Sequence, residues 1–557
     1  MDEAVIKLMK KLALLNAIKH KGKANPGAIV GGVLGTFPDL KSNMKEVMQK
    51  INELVNEINS LDLDVQEKQL LDIDPEALEK KHEERDIFGF LNIKEGEQII
   101  TAFPPGPEKY PHIGHAKALL LNYELAKRHG GKFILRFEDT NPDLVKEEFY
   151  NIMIENFKWL NVSWDELVYA SDYMDLYYDH CRALLETEKA YYCTCSSEEI
   201  KKGRETGVAC ECRTRSTKEN LALWEAMQLQ EPGTAIIRLK IDLQHKNSTM
   251  RDPAIFRIID TPHARLGTKY KVWPNYDFQN SIMDGYLKVT HRLRSKEFEM
   301  RNELQRYIQR LLGYKETKIY EFARFNLKGV EASGRIIREK VNSGELIGWD
   351  DPSLTTLVAL RRRGFQPEAI KEFVLKTGIT KNESVLTWDD LIVYNKRLLD
   401  DESNRYFFVA EPTQIKIEGA PKKEFDLNLH PTKRKGGRHF TSMEEFFVSK
   451  KDYSEMEEGA YYRLIECLNF RFLGGSVYEY IDESVKTYKE KGSAMMHYIP
   501  KATEHFNASI MMPDKSIVEG IVEHGVKNLK VGDVIQFERV GFCRLDDKEK
   551  FRFWFTH

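Results

Sequence analysis

Two histidines separated by two residues carry the strongest chemical signal in the sequence. His112 and His115 flank Gly114, and four residues separate His112 from the proline-rich segment 104–107. Glycine lets a nucleotide approach the backbone, and a helix that begins here directs its positive end towards phosphate. The two imidazoles could then hydrogen-bond to phosphate oxygens as charge moves during a displacement reaction. This segment predicts phosphate chemistry, and a surface turn that contains two histidines is the plain alternative.

Four cysteines in two Cys-x-Cys pairs form a second signal. Cys193 and Cys195 are followed, after 14 residues, by Cys210 and Cys212. Four thiolates suit tetrahedral zinc, and four protein ligands leave no open position, so the spacing predicts a structural zinc ion. Free thiols on two strands are the alternative. The total of 7 cysteines is odd, which argues against a disulfide framework.

The sequence around the histidines predicts a βαβ unit that would position them. Residues 99–103 form a short apolar stretch ended by prolines, a helical pattern covers residues 114–128, and residues 133–137 have the composition of a second strand. Strand, helix and strand predict a parallel sheet with ligands at the carboxyl ends of its strands. The α/β pattern returns at residues 273–325, after the cysteines.

The two ends of the chain differ from this unit. Residues 1–95 predict a helical extension, in which the glycine-rich stretch 27–35 suits close helix packing rather than a phosphate loop. The acidic, lysine-rich segment 76–84 predicts a solvated helix or linker. From residue 405 onward, short β-type segments separated by turn residues predict β-barrels or a sandwich. The sequence contains no internal repeat of fixed period.

Length and composition limit the class of protein. With 557 residues, of which 41% are hydrophobic and 31% charged, the chain predicts a globular protein of several domains. The formal net charge of -3 means that any RNA contact depends on local basic clusters. No apolar run is long enough to span a membrane, and the N-terminus lacks a secretory signal. These features predict a cytoplasmic protein with no membrane partner.

The residues around the two histidines resemble one enzyme family. Residues 111–115 are similar to the HIGH motif of class I aminoacyl-tRNA synthetases, and residues 103–142 resemble the glutamyl/glutaminyl branch. The resemblance continues through five further motifs, which are Arg251-Asp-Pro253, Tyr276-Asp-Phe278, Val289-Thr-His291, Arg324-Phe-Asn-Leu327 and Gly348-Trp-Asp-Asp-Pro352. It covers essentially the whole chain and favours the archaeal type of glutamyl enzyme.

This resemblance implies a fold with six segments. They are an N-terminal helical extension (1–95), the first half of a Rossmann-type catalytic domain (96–185), an acceptor-stem-binding insertion with the zinc site (186–272), the second half of the catalytic domain (273–325), a helical subdomain with a KMSKS-like loop (326–404) and two anticodon-binding antiparallel β-barrels (405–557).

The resemblance also implies the reaction. ATP and Mg²⁺ would activate L-glutamate as glutamyl-AMP, and the acyl group would pass to glutamate tRNA, with glutamine tRNA an open second substrate. The implied catalytic residues are His112, Gly114, His115, Ser333 and Arg335. The implied substrate-binding residues are Glu138, Tyr276, Asn280 and Arg294. A monomer is the working hypothesis for the oligomeric state, which the sequence does not fix.

Arg294 separates glutamate from glutamine within this resemblance. Related glutamyl enzymes carry arginine here, whereas glutaminyl enzymes carry a small uncharged residue. A buried guanidinium recognises a carboxylate with two hydrogen bonds, and a surface ion pair is the alternative role. Glu138, or Asp139 beside it, would hold the substrate ammonium, unless it caps a helix, and Tyr276 would face the substrate side chain.

Two departures from the family pattern keep other functions open. Ala102 replaces an arginine, and Gly334 replaces the lysine of the KMSKS signature. Arg335, Arg338 or Lys328 could supply the missing charge, and Arg335→Ala is then expected to abolish ATP–pyrophosphate exchange. The alternatives are a glutaminyl-tRNA synthetase and a tRNA-binding paralogue without catalysis. A small-molecule nucleotidyltransferase with the same turn is disfavoured by the long β-rich C-terminus.

Three basic clusters are candidates for contact with tRNA phosphates. They are residues 361–363, residues 433–435 with Arg438, and residues 201–202 with Arg204. Each cluster alone predicts a solvated face, but together they could follow one phosphate backbone. Phe440 and Tyr461 could stack on anticodon bases, although core packing is the expected role of most aromatic residues in this region.

Overall fold

The computed structural model describes residues 2–20, 22–74 and 86–557. The chain divides into two compact units, Met1–Asp86 and Ile87–His557. Segment 76–84, for which the sequence predicts a solvated helix or linker, lies outside the described residues. No helix among the described residues is long and apolar enough to cross a membrane.

The first unit is helical. Its elements are α1 (Glu3–Lys19), α2 (Pro26–Thr36), a 3-10 helix (Pro38–Asn43), α3 (Met44–Asn59) and α4 (Leu63–Ile73). The glycine-rich stretch forms α2, and a Cβ atom added to Gly32 would lie 2.9 Å from Leu12 Cδ1 of α1. Glycine therefore permits the close helix packing that the sequence predicts, and the helical N-terminal extension is confirmed.

The second unit contains the remaining elements. Its helices are α5 (Ile113–Arg128), α6 (Glu147–Trp159), α7 (Met174–Glu186), α8 (Ser197–Thr206), α9 (Thr217–Ala226), α10 (Tyr276–Tyr286), α11 (Arg301–Leu311), α12 (Gly334–Asn342), α13 (Leu357–Arg363), α14 (Pro367–Thr377), α15 (Trp388–Glu402), α16 (Lys450–Ser454) and α17 (Val485–Lys491). Short 3-10 helices occupy Gly89–Leu91, Ala170–Tyr173, Glu211–Thr214, Met227–Leu229, Ser248–Met250, Lys296–Phe298 and His524–Asn528.

The strands of this unit are β1 (Ile100–Phe103), β2 (Lys132–Phe137), β3 (Glu166–Tyr169), β4 (Ala190–Cys193), β5 (Ile236–Leu239), β6 (Ala254–Ile258), β7 (Val272–Pro274), β8 (His291–Ser295), β9 (Lys318–Phe322), β10 (Arg405–Tyr406), β11 (Phe408–Ala410), β12 (Pro412–Glu418), β13 (Lys423–Asn428), β14 (Gly437–Ser442), β15 (Glu445–Ser449), β16 (Tyr461–Leu464), β17 (Asn469–Phe472), β18 (Tyr478–Asp482), β19 (Gly492–Met496), β20 (Tyr498–Pro500), β21 (His505–Met511), β22 (Ile517–Glu523), β23 (Val534–Phe537), β24 (Gly541–Asp547) and β25 (Arg552–Phe555).

A five-stranded parallel sheet organises the catalytic region, with strand order β3-β2-β1-β8-β9. The chain moves outward from β1 through β2 to β3, and it later returns to the other side of β1 as β8. The connections therefore diverge between β1 and β8, and ligands bind at the carboxyl ends of strands at such a point. The Rossmann-type prediction is confirmed, with β1, α5 and β2 within one residue of the predicted limits.

Both faces of β1 and β2 are buried, which explains why these two central strands are mainly apolar in sequence. Ala102 and Ile134 pack into one core, whereas Phe103 and Leu135, their neighbours along the two strands, pack into a second core on the opposite face. Position 102, where the family pattern has arginine, is therefore fully buried in this chain.

The cysteine-bearing segment forms a separate four-stranded antiparallel sheet, with order β4-β5-β6-β7. Helices α8 and α9 lie between β4 and β5 in the chain. The chain then enters α10 and β8, so that this sheet is inserted between the two halves of the parallel sheet. Beyond β9 the helices α12, α13, α14 and α15 follow in succession.

The C-terminal region contains two seven-stranded sheets. In one, the terminal strands β10 and β11 are separated only by Phe407, and in the other, β19 and β20 are separated only by His497. One continuous segment thus pairs with both ends of each sheet and closes it, in agreement with the predicted barrels. Each sheet has two parallel pairs among otherwise antiparallel neighbours.

The two closed sheets repeat one topology that the sequence did not reveal. Each contains an antiparallel pair of strands, a three-stranded meander whose last strand pairs in parallel with one strand of that pair, and a closing segment. The closing segment comes first in the chain in the sheet of β21 to β25, and last in the sheet of β12 to β18. This difference in chain order explains the lack of a fixed sequence period.

Candidate active site

A cavity of about 1120 Å³ opens at the carboxyl ends of β1, β2 and β8. It brings together eight of the nine catalytic and substrate-binding residues that the sequence predicts, from the HxGH turn to the end of the KMSKS-like loop. The eight residues are His112, Gly114, His115, Glu138, Tyr276, Arg294, Ser333 and Arg335. The ninth residue, Asn280, lies outside the cavity lining.

The two histidines are fixed by the start of α5. His112 is the N-cap, and its Nδ1 accepts the backbone N–H of Gly114 at 3.0 Å. His115 Nδ1 accepts the backbone N–H of His112 at 3.2 Å. Because each Nδ1 is an acceptor, a neutral ring carries its proton on Nε2. Both rings therefore offer an Nε2–H donor of the kind that binds phosphate oxygen.

Burial keeps both imidazoles neutral. It lowers the pKa of His112 to about 3, with further lowering by the positive charges of Lys109 and Arg324. Burial also lowers the pKa of His115 well below its ordinary value, with smaller contributions from His112 and Lys109. Near neutral pH the pair therefore acts through hydrogen bonds of neutral rings and does not act as a pair of cations.

Gly114 is required by close packing inside this turn. A Cβ atom at position 114 would lie 2.7 Å from His112 Cε1 and 3.1 Å from the carbonyl oxygen of Phe325. Real Cβ atoms almost never approach a ring atom to 2.7 Å, and a contact of 3.1 Å with a backbone oxygen is tighter than most. Any larger residue would displace the His112 ring from the N-cap position.

Arg294 lies near the carboxyl end of β8 and is only 6% exposed. Its Nη2 donates to Asn302 Oδ1, and Asn302 Nδ2 donates in turn to Glu321. Its Nε and Nη1 are buried with no hydrogen-bond partner among the described residues. Burial lowers the pKa of this guanidinium, because removal from water disfavours its charged form. Arg294 thus lies in the same cavity as His112 and Tyr276, and not in bulk solvent.

Glu138 lines the cavity and also has a side-chain oxygen without a hydrogen-bond partner among the described residues. Its Oε1 accepts from Arg136 Nε at 3.0 Å and Nη2 at 2.7 Å, whereas its Oε2 is buried without a partner. Burial raises the pKa of Glu138, and the attraction of Arg136 opposes this rise. The carboxylate therefore has a free acceptor for a cationic group.

Asn280 holds the arginines behind this carboxylate. Its Oδ1 accepts from Arg136 Nη2 at 2.9 Å and from Arg292 Nη1 at 3.1 Å, and its Nδ2 donates to Gln305. These bonds use the amide within the core and direct it away from the cavity. Asn280 therefore lies behind the cavity lining with its amide bonded to other side chains, and the substrate contact that the sequence predicts for it stays a prediction.

Asp139, the alternative ligand for a substrate ammonium, is already occupied. It is buried and accepts the backbone N–H and the hydroxyl of Ser171, each at 2.7 Å, and the hydroxyl of Tyr150 at 2.8 Å. It does not line the cavity. Of the two neighbouring carboxylates, Glu138 is therefore the one that can meet a ligand.

The KMSKS-like loop begins α12. Glu331 Oε1 accepts the backbone N–H groups of Ala332 at 2.9 Å and of Ser333 at 2.7 Å, which fixes the approach to the helix. The Arg335 side chain is 84% exposed and lies 3.9 Å from Glu339. Lys328 is exposed and outside the cavity lining. Neither side chain is directed firmly at the histidines.

Several cavity residues were not identified from the sequence. Arg292 and Lys109 line the cavity, and Asn302 supports Arg294 from behind. Lys109 lies three positions before His112, and this proximity in the chain was the available signal. Asn302 gave no such signal, because its contact with Arg294 depends on the packing of α11 beside β8.

Comparison with known proteins identifies the family. Residues 98–401 match the model described as tRNA synthetases class I (E and Q), catalytic domain, and residues 403–487 and 477–546 match two anti-codon binding domains of the same group. The chain belongs to this synthetase family.

A glutamate–tRNA ligase of Pyrococcus abyssi is 39% identical over 98% of this chain and 98% of its own length. That of Methanothermobacter marburgensis is 36% identical over 99% of each chain. A solved glutamate tRNA ligase from Elizabethkingia meningosepticum is 19% identical over 55% of this chain and 71% of its own length, with a TM-score of 0.41.

The synthetase chain gathers its four paired cysteines at one point. Their sulfur atoms all lie within 4.8 Å of one another, with Cys193 and Cys210 4.0 Å apart and Cys195 and Cys212 3.9 Å apart. Tetrahedral zinc with Zn–S bonds of about 2.3 Å places sulfur atoms about 3.8 Å apart. Four sulfur donors at this spacing fit zinc, and no fifth protein donor is needed.

The basic clusters of this synthetase are only partly available to tRNA. Arg363 is buried, and its Nη1 and Nη2 donate to the carbonyl oxygens of Pro352 and Thr556 at 3.0 and 2.7 Å. Arg438 is also buried and pairs with Glu523 at 2.8 Å. These two guanidinium groups cannot follow a phosphate backbone without breaking internal bonds. The exposed cations of the clusters are Lys201, Lys202, Arg361, Lys433 and Lys435.

The two aromatic candidates for base stacking differ in the same way. Phe440 is fully buried between the rings of Phe407 and Phe425. Tyr461 is half-buried and lies 5.5 Å from the Arg471 guanidinium and 5.7 Å from Lys491 Nζ. Phe440 is therefore a core residue, whereas Tyr461 keeps an aromatic surface among cations.

Proposed function

We propose that this synthetase attaches L-glutamate to tRNA with the consumption of ATP. The observation that carries the proposal is the Arg294 guanidinium, which is buried at the cavity wall with Nε and Nη1 unpaired among the described residues. The relatives named glutamate–tRNA ligase, which match almost the full length of the chain, support the same substrate.

The two unpaired nitrogens of Arg294 favour glutamate over glutamine. Both are donors, so a ligand must present acceptors to both, as a carboxylate does with its two oxygens. The amide of glutamine presents one oxygen and one NH₂ group, and the NH₂ group would face a donor. An unpaired buried donor costs about 1–3 kcal/mol, and more where a charge is involved. Tyr276 adds to this wall of the cavity.

Glu138 is proposed to bind the α-ammonium of glutamate through its free Oε2. Arg136 holds the other oxygen, so the carboxylate cannot rotate without losing two hydrogen bonds. With Arg294 at the side chain and Glu138 at the ammonium, the α-carboxylate of the amino acid remains free to react. Fixed charges at both ends orient the amino acid and lower the entropy cost of reaction.

In the activation step, an oxygen of the α-carboxylate attacks the α-phosphorus of MgATP. The bond from this phosphorus to the bridging oxygen of pyrophosphate breaks, and its electron pair leaves with pyrophosphate. The Nε2–H groups of His112 and His115 donate to phosphate oxygens as their charge changes. A ribose hydroxyl of the terminal adenosine of tRNA then attacks the acyl carbon and releases AMP. No covalent enzyme intermediate is needed.

The other segments are proposed to hold the tRNA. The C-terminal barrels of residues 405–557 match the anti-codon binding domains of the family and are assigned to the anticodon. The insertion of residues 186–272 is assigned to the acceptor stem. Its four cysteines would hold a structural zinc ion, which would take no part in the reaction. A cytoplasmic monomer completes the proposal.

A charging assay tests this function directly. Purified protein is incubated with MgATP, with either glutamate or glutamine, and with either glutamate tRNA or glutamine tRNA. Glutamylation of glutamate tRNA is the expected result, and glutamylation of glutamine tRNA as well would define broader tRNA selection. Charging with glutamine alone would make the chain a glutaminyl enzyme. Failure to charge with either amino acid would leave a tRNA-binding paralogue.

A further inference from the structure

A lysine in the loop before α5 lies across the first residue of α12. A Cβ atom added to Gly334 would come within 2.8 Å of Lys109 Cδ and 3.6 Å of Lys109 Cβ. One carbon of the Lys109 stem therefore lies where a side chain at position 334 would begin, and this stem would have to move to admit it. Both residues line the active-site cavity. Lysine at 109 and glycine at 334 are complementary in volume.

Lys109 lines the same cavity as the paired imidazoles. It contributes to the lowered pKa of both His112 and His115, after the larger effect of burial. Lys109 forms no ion pair with any residue in the described parts of the chain. Its charge is therefore available to a ligand.

The other cations near α12 are less suited to this position. Arg335 projects into solvent beside Glu339. Arg338 donates through Nη2 to the carbonyl oxygen of Glu108 at 3.2 Å. Arg324 is exposed, and its guanidinium lies 3.7 Å from the Glu297 carboxylate. Of these cations, Lys109 combines partial burial with a side-chain stem packed on Gly334. The neighbouring Glu108 carboxylate attracts its charge, but the two form no ion pair in the described parts of the chain.

Two helix ends add to the positive potential around Lys109. Helix α5 begins at Ile113 and α12 begins at Gly334, and residues of both first turns line the cavity. Each helix N-terminus carries the equivalent of about half a positive charge. A lysine held beside two such ends is repelled unless an anion lies between them. The arrangement is thus complementary to a polyanion next to the two histidines.

We propose that Lys109 binds the departing pyrophosphate portion of ATP and neutralises its growing charge during adenylate formation. When the bond to the α-phosphorus breaks, the electron pair moves to the bridging oxygen, and the Lys109 ammonium stabilises that oxygen group. Lys109 thereby performs, from the loop before α5, the role that a lysine at position 334 would perform from α12. This inference rests on the proposed function, because it assigns a residue to the ATP end of the same cavity.

Two variants of Lys109 separate the effect of its charge from the effect of its packing, and Arg335→Ala serves for comparison. Lys109→Gln keeps much of the aliphatic stem on Gly334 and removes the charge, whereas Lys109→Arg keeps the charge. ATP–pyrophosphate exchange is measured with glutamate and glutamate tRNA present, beside Arg335→Ala. Lys109→Gln is expected to lower kcat about 100-fold with an unchanged glutamate KM, and Lys109→Arg to retain at least about a tenth of wild-type kcat. Exchange within threefold of wild type for Lys109→Gln, or a greater loss for Arg335→Ala, would overturn the proposal.

A direct binding measurement distinguishes this proposal from the proposed function. Titration of magnesium pyrophosphate into wild-type protein and Lys109→Gln should show binding at least about tenfold weaker in the variant. Equal binding by the two proteins would refute the role of Lys109, whatever the exchange assay gives. Weaker binding by the variant, with no exchange by wild-type protein, would support Lys109 as an anion ligand and reject the proposed function.

Moving the lysine from position 109 to position 334 gives an independent test. Gly334→Lys alone forces its Cβ atom against the Lys109 stem, so no gain in exchange is expected. In the double variant Lys109→Gly with Gly334→Lys, that stem is absent, and the cation stands on α12. Exchange at least about tenfold above that of Lys109→Gly supports a shared cation site, and an increase in exchange by Gly334→Lys alone would contradict the complementarity.

Discussion

At the scale of single residues, the selectivity of the site depends on the missing hydrogen-bond partners of Arg294. Desolvating a guanidinium costs several kcal/mol unless hydrogen bonds and an opposite charge compensate for it. Asn302 satisfies one nitrogen of Arg294, and two others are buried without partners in the described structure. Such a group is costly in the free protein and gains most when a carboxylate enters. The cost is consistent with a binding residue rather than a structural one.

Replacement of Arg294 should therefore impair recognition of the amino acid. Arg294→Gln is expected to raise the KM for glutamate about 100-fold or more, because it removes a charge-assisted contact made by two donors. The KM for ATP should change little. The measurement is aminoacylation at varied glutamate and ATP. Arg310→Gln is the matched control, since Arg310 is 57% exposed and pairs only with Glu316. A glutamate KM equal to that of the control would contradict the assignment.

The partly buried His112 also predicts how stability depends on pH. Burial lowers the folded-state pKa of His112 to about 3, whereas the unfolded chain has a value of about 6.5. Above pH 6.5 neither state is protonated at this residue. As the pH falls below 6.5, the unfolded state gains a proton first, so stability is lost progressively until the pH approaches 3.

His112→Asn should reduce this pH dependence. Asparagine can accept the Gly114 N–H as an N-cap but does not titrate. Between pH 7 and pH 5 the wild-type protein should lose on the order of 1 kcal/mol more stability than the variant. Calorimetric unfolding of both proteins at the two pH values measures the difference. Equal losses would show that the imidazole is already protonated, or is exposed, in the folded protein.

At the scale of elements, the cysteine cluster holds together a part of the insertion with little other core. Cys193 ends β4, and Cys212 lies in the 3-10 helix Glu211–Thr214. The apolar cluster around the four cysteines contains Tyr191 and few other buried side chains. A small region of this kind usually needs a metal or disulfide for stability. The sulfur spacing favours the metal.

Metal analysis should find about one zinc ion per chain, since the donor set has one tetrahedral position. Cys212→Ser is expected to lower this content well below half and to lower the temperature at which the insertion unfolds. The readout is elemental analysis of purified protein together with thermal unfolding. Cys467→Ala is the matched control, because Cys467 is buried in the core of a barrel, away from the cluster. Zinc-free wild-type protein of unchanged stability would reject the site.

At the scale of the whole molecule, α13 connects the helical subdomain to a C-terminal barrel. Arg362 donates to both oxygens of Asp546 in β24, at 3.0 and 2.7 Å, and to Asp350 at 2.7 Å. Arg363 donates to the carbonyl oxygen of Thr556 after β25. Arg362 and Arg363, which belong to a basic cluster that suggested RNA contact, therefore bind α13 to the C-terminal barrel. Catalytic and C-terminal regions share a bonded interface.

Arg362→Ala should loosen this interface without altering the amino-acid pocket. The loss of three charge-assisted hydrogen bonds is expected to lower the melting temperature by about 3–6 °C and to raise the KM for tRNA, while the KM for glutamate stays unchanged. Thermal unfolding and aminoacylation kinetics provide the readouts. Arg361→Ala changes the exposed neighbour and should leave stability within about 0.5 kcal/mol of wild type. If both variants behave alike, Arg362 does not couple the two regions.

The sequence by itself determined the scaffold and the chemistry that it presents. The strand, helix and strand around His112 follow from local apolar patterns. The cluster of four cysteines was indicated by two Cys-x-Cys pairs that are close together in the chain. These features involve neighbours in the chain, for which residue type and spacing carry most of the information. The closed C-terminal sheets were likewise indicated by short β-type segments, although their shared topology was not.

Only the tertiary structure decided which polar atoms remain free. It turned Asn280 into the core, occupied Asp139, buried Arg363 and Arg438, and placed Lys109 against Gly334. Each outcome depends on partners far away in the chain, such as Asn280 meeting Arg136 across 144 positions. Pairing and burial are properties of three-dimensional packing, and residue types alone do not encode them locally.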